Sequence, residues 1–128
     1  MRRSLQVHPA RAGFAASADA VEVPPGARCL YVSGQFGMAA DGTVPRDTRA
    51  QCEEVWRNLG TTLEAAGMGL GHLVMLHIYL TDPQDLPAVR EIKDRMLAGR
   101  HVASTILGVA ALAPPDWHVE IGAVAAGT

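Results

Sequence analysis

The run HLVMLHIYL (72–80) is apolar at both alternating sets of positions, and it lies between two stretches with helical spacing. A strand with one wet face alternates apolar and polar residues, whereas a strand buried on both sides reads as a continuous apolar run. The stretch therefore predicts a central strand covered on two sides. Upstream, Cys52, Val55, Trp56, Leu59, Leu63 and Ala66 recur at helical intervals, while Arg49, Glu53, Arg57 and Glu64 fall mostly on the other side. Thr48 with Gln51 three residues later makes a capping box for this helix, and Gly67 supplies its stop. Downstream, Asp85 is expected to cap a second helix, with Pro87 tolerated in the first turn. That helix buries Val89, Ile92 and Met96 and ends near Gly99.

Four further segments complete the order. Residues 18–23 and 29–34 read as strands joined at Pro24-Pro25-Gly26, and residues 4–8 as an added edge strand. AADGTVP (39–45) is a loop around an Asp-Gly turn. ASTILGVAAL (103–112) and WHVEIGAVA (117–125) are β-rich and are separated by Ala113-Pro114-Pro115. The order β-β-(β)-α-β-α-β-β predicts an α+β domain over residues 1–128, a mixed sheet with two helices packed on one face. So much apolar sequence leaves the other sheet face in need of a cover, and self-association is the simplest one.

Composition narrows the function classes. With 48% hydrophobic and 19% charged residues, 128 residues suffice for one buried core. A formal net charge of -2 lacks the dense cationic footprint of a nucleic-acid binder. No apolar run approaches the roughly 20 residues of a membrane span, and the opening MRRSLQVHPARAGFAAS has no signal-like apolar stretch. The expectation is a cytoplasmic protein with neither nucleic acid nor membrane as partner. Cys29 and Cys52 read as buried free thiols.

Several familiar catalytic patterns are missing. GMGLGH (67–72) follows a helix and precedes a strand, the reverse of a phosphate-cradling glycine loop. The histidines at 8, 72, 77, 101 and 118 show no metal-site spacing, and His72 and His77 point to opposite strand faces. Ser33-Gly34-Gln35 is no nucleophile elbow. Neither a metal nor a cofactor is expected.

Four landmarks in order carry a resemblance over nearly the whole chain: VSGQFGMAADGTVP (32–45), LEAAGMGLGHLV (63–74), IYLTDPQDLPAV (78–89) and HVEIGAVA (118–125). Together they resemble the RidA/YjgF family of reactive-intermediate deaminases. The resemblance implies a chorismate-mutase-like α+β fold, a homotrimer, and small-molecule pockets at the subunit interfaces. It also implies hydrolysis of enamine or imine intermediates to a 2-oxo acid and ammonia.

That chemistry needs a water aimed at the imine carbon, a proton for the departing nitrogen, and donors that fix the substrate's carboxylate. By resemblance, Glu120 in the V-E-I-G frame positions the water; its other reading is a solvent-facing strand carboxylate or half of an interface salt bridge. The family's carboxylate-binding arginine aligns with Ser104, and a one-residue slip selects Ala103 or Thr105. Serine donates one neutral hydrogen bond where arginine offers a charged fork. Arg90, where typical members carry a pocket asparagine, is a substitute cation, and otherwise a solvated helix residue. Arg100 and His101 are further candidates. Phe14 stands near a pocket tyrosine of the family, and Ser33 and Gly34 match its SGQ.

Two functions follow. One is an enamine/imine hydrolase of altered specificity that uses Glu120 for water and Ser104, Thr105 or Arg90 for anchoring. The alternative is a trimer that binds a small molecule or partner without deaminating, motivated by the serine at 104. Chorismate mutation, suggested by the fold type alone, would need several converging cations that the serine at 104 does not help to supply.

Overall fold

The 72–80 run forms strand β4 (Leu73–Leu80) inside a six-stranded sheet in the computed structural model, which describes residues 6–9 and 17–127. The other strands are β1 (Gln6–Pro9), β2 (Ser17–Glu22), β3 (Arg28–Phe36), β5 (Val102–Gly108) and β6 (Val119–Gly127). Helices α1 (Thr48–Ala65) and α2 (Leu86–Leu97) flank β4 in sequence. The spatial order is β1-β2-β5-β4-β6-β3. β5 runs parallel to β4 and β2, while β6 is antiparallel to β4 and β3. The sheet is mixed, as the element order predicts.

Alternation sorts the two faces. Leu76, Ile78 and Leu80 of β4 and Val119, Ile121, Ala123 and Ala125 of β6 are buried. They join Cys52, Val55, Trp56, Leu59 and Leu63 of α1 and Val89, Ile92 and Leu97 of α2 in the core under the helices, apart from Leu80, which is buried outside that cluster. Each large aliphatic side chain so buried contributes about 1.5–3 kcal/mol. The interleaved positions of β4 tell a different story: His77 is exposed and Met75 and Tyr79 are half-buried. Within one protomer, then, β4 is covered on one side only. Tyr31 and Leu107 stand exposed, at 79% and 49%.

Helix α1 begins one residue earlier than the expected capping box. Asp47 is the cap, accepting from the Ala50 N–H at 3.0 Å, because a carboxylate reaches the first free amides better than the Thr48 hydroxyl, which turns to His118. Gln51, freed from capping, is fully buried and joins three strangers in sequence. Its Nε2 donates to the carbonyls of Pro45 and Asp116, and its Oε1 accepts from the His118 N–H. The helix stop is as expected: Gly67 takes φ +71°, and the Met68 N–H donates to Leu63 O. Asp85 occupies the cap position of α2 without a side-chain bond, whereas Asp82 holds the preceding 3-10 turn by accepting from the Gln84 N–H. The 103–112 run leaves the sheet at Gly108.

The thiols divide. Cys52 is fully buried, and desolvation pushes its pKa up to about 12. Cys29 is exposed, contrary to expectation, because it lies near the start of the edge strand β3 on the same face as Tyr31.

Candidate functional site

Glu120 projects from β6 on the face away from the helices, alternating with the buried Val119 and Ile121. Its seat is prepared by a bulge in β3. Val32 pairs with Ala123 but Gln35 with Ile121, so β3 carries one extra residue across Ser33 and Gly34. The bulge presses Gly34 against Glu120. A Cβ on Gly34 would overlap Glu120 Oε2 and lie 2.8 Å from its Cγ. Only glycine leaves room for the carboxylate in this position. Gly122, the next residue on that face of β6, faces Val32 O with 3.6 Å to an added Cβ.

An open depression of about 390 Å³ surrounds the carboxylate, lined by Tyr31, Ser33, Gly34, His77, Tyr79 and Glu120 among others. Tyr79 is the β4 partner of Glu120 in the ladder, and His77 the partner of Gly122. The site thus gathers an acid, an imidazole, two phenols and a hydroxyl on one pleated surface. Such a group can hold a water against the carboxylate and offers protons to a leaving nitrogen.

Behind it, the loop before β6 is fixed by the Gln51 clamp on His118 and by the hydrogen bond between His118 Nδ1 and Thr48 Oγ1 at 3.0 Å. Phe36 of β3 stacks on Trp117 with ring centroids 3.7 Å apart. These contacts set where β6 enters the sheet, two or three residues before Glu120.

Of the sequence-chosen residues, Ser33, Gly34 and Glu120 come together here. Thr105 is exposed on β5 and is the ladder partner of His77, so it flanks the depression without lining it. Ser104 points the other way, toward α2, where Lys93 Nζ donates to its hydroxyl at 3.4 Å. Arg90 is exposed on α2. His101 meets the Ser17 carbonyl through Nδ1 at 3.1 Å, and Arg100 bonds Leu97 O. Phe14 lies outside the described residues. Tyr31, His77 and Tyr79 were not singled out as site residues; only the register between β3, β6 and β4 reveals them. Lys93 was missed as well, although it lies four residues from both Val89 and Leu97 and so falls on the buried face of α2. Among the described residues, no group of three His, Cys, Asp or Glu side chains could hold a metal, and no helix is long and apolar enough to cross a membrane.

Comparison with known proteins agrees with this architecture. The family model described as endoribonuclease L-PSP matches residues 12–127. Protein DfrA of Myxococcus xanthus is 33% identical over 126 residues, covering 97% of this chain and 95% of that protein. A 2-iminobutanoate/2-iminopropanoate deaminase of Dermatophagoides farinae is 27% identical over 97 residues, covering 74% and 75% of the two chains. Among solved structures, the Rid-family protein YyfB from Yersinia pestis superposes with a TM-score of 0.83 at 31% identity, over 97% of both chains. With the ordered landmarks, the bulged β3 and the mixed sheet under two helices, these matches show that the chain belongs to the endoribonuclease L-PSP family, the group that includes RidA and YjgF.

Proposed function

We propose that this protein hydrolyses small imines, and the enamines that tautomerise to them, to carbonyl compounds and ammonia. The observation that carries the reading is the Glu120 carboxylate seated by the Gly34 bulge in an open, polar depression. Membership of a family with an iminobutanoate/iminopropanoate deaminase supports it. In the proposed reaction, Glu120 accepts a hydrogen bond from a water and draws off its proton as oxygen adds to the imine carbon. The proton passes to nitrogen and gives an aminol. The aminol O–H then loses its proton and the nitrogen gains a second one, the C–N bond breaks, and ammonia leaves as the C=O bond forms. One imine and one water give one carbonyl compound and one ammonia. A positioned acid/base of this kind is worth roughly 10²–10⁴ in rate.

The depression is shallow and open, and the exposed Tyr31 and Leu107 share its sheet face. A homotrimer packed through that face would close it and bring in groups from a neighbouring copy, among them Thr105, Ser104 or Arg90 as polar anchors. Hydrolysis is tested by ammonia release from imines generated in situ by an amino-acid oxidase, with native protein and Glu120→Ala. Faster release with the native protein alone supports the reading. Equal rates in both overturn it and leave a small-molecule-binding trimer without turnover, the reading that the serine at 104 favours.

A further inference from the structure

Lys93 is charged, sits in the middle of α2, and is only 3% exposed. Its Nζ lies 3.3 Å from Ser17 Oγ and 3.4 Å from Ser104 Oγ. No carboxylate among the described residues forms an ion pair with it; Asp94 acts on it only at longer range and Arg90 opposes that effect. Burying an ammonium without a counter-charge is expensive, so the arrangement asks for an anion.

The two hydroxyls show where that anion would go. Each oxygen accepts from Nζ, which leaves each O–H free to donate. Neither donates to an acceptor among the described residues. An ammonium has three protons, so one N–H also remains. Two neutral O–H donors and one N–H of the ammonium are therefore left without an acceptor among the described residues. Ser17 and Ser104 are both half-buried, whereas Lys93 is buried. The ladder between β2 and β5 comprises Ser17↔Val102 and Ala18↔Ala103, whereas β5 continues paired with β4 to Gly108. Beyond Ala103, the β2 side of β5 is unladdered, and Ser104 is the first residue of that stretch.

We infer that Lys93, with the Ser17 and Ser104 hydroxyls, forms the carboxylate-binding site of this protein, its cation supplied by helix α2. A planar monoanion with two oxygens matches two hydroxyl donors and one unit of charge; a dianion would bring excess charge into a half-buried niche. The site rests on the proposed imine hydrolysis for its substrate class, small 2-imino and 2-oxo acids. Glu120 lies on the opposite face of the sheet, so one substrate reaches both groups where two copies of the chain meet.

Calorimetric titration of the full-length protein with 2-oxobutanoate, and with its neutral amide as control, tests the site. Native protein is expected to bind the acid and not the amide, Lys93→Met to bind the acid at least tenfold more weakly, and Lys93→Arg to recover part of the loss. Removing an unpaired buried charge predicts that Lys93→Met keeps or raises the melting temperature, which a merely structural lysine would not allow. Ser104→Val, which keeps the charge, is expected to weaken binding several-fold and serves if Lys93→Met fails to fold. Undiminished binding by folded Lys93→Met, or no binding by native protein, overturns the inference. Ammonia release that persists unchanged in Lys93→Met would sink this site while sparing the hydrolase; Lys93-dependent binding without ammonia release would do the reverse.

Discussion

At the scale of the residue, Gly34 and Glu120 form one unit. Gly34→Ala places a methyl where the carboxylate now sits, so the carboxylate must move. The expected result is a folded protein with at least tenfold lower turnover of imines, measured by the ammonia assay; native activity would show that the seat does not matter. Glu120 was legible because its frame on the last strand matched the family pattern. Its companions Tyr31, His77 and Tyr79 were not, since a strand's sequence gives the face of each residue but not its neighbour across the ladder. Lys93 lies among the charged residues Glu91, Asp94 and Arg95, although its spacing from Val89 and Leu97 marks it as inward-facing. Burial lowers its pKa from the ordinary lysine value, with Asp94 and Arg90 pulling in opposite directions. The unfolded chain thus binds the extra proton between the folded pKa and about 10.5, and stability from this group rises as pH climbs through that window. Thermal melts of native protein relative to Lys93→Met are expected to improve toward alkaline pH. Thiol labelling is a second residue-scale check. Exposed Cys29 should react in the native state, whereas Cys52, held protonated by burial, should react only after unfolding.

At the scale of the element, the strands and helices followed from periodicity, because each has a face buried against the same core. Boundaries moved where a competing side chain won. Asp47 took the cap from Thr48, and Gln51 became a clamp between the start of α1 and the loops before it and before β6. That role has no local signature, as two of its three partners are 65 and 67 residues away. Gln51→Ala leaves two carbonyls and one N–H without the partner that the fully buried Gln51 supplies, and is expected to cost about 2–4 kcal/mol in urea denaturation. A loss below about 1 kcal/mol would mean that water replaces the clamp. Leu63→Ala, a truncation on the fully buried face of α1, is expected to cost a similar 2–5 kcal/mol.

At the scale of the whole molecule, the open face organises the account. The continuous apolar run of β4 predicts cover on both sides, yet one protomer covers only the helix side. The sequence carries the demand for a cover without stating what supplies it. A homotrimer would supply it, and sedimentation velocity should find three copies of the chain in solution. Leu107→Arg, a charge on the exposed part of that face, is expected to shift the population toward monomer and to lower imine turnover with it. Glu120 and Lys93 belong to opposite faces of one sheet, so assembly and catalysis should fail together.

The most direct test is the initial rate of ammonia release from in-situ 2-iminobutanoate, compared between native protein and Glu120→Gln. Glutamine keeps the size of the side chain and removes its ability to take a proton. A fall of roughly 10²-fold or more, with the protein folded and oligomeric, is the expected result. Equal rates for the two proteins would contradict the assignment of Glu120 and the hydrolase built on it.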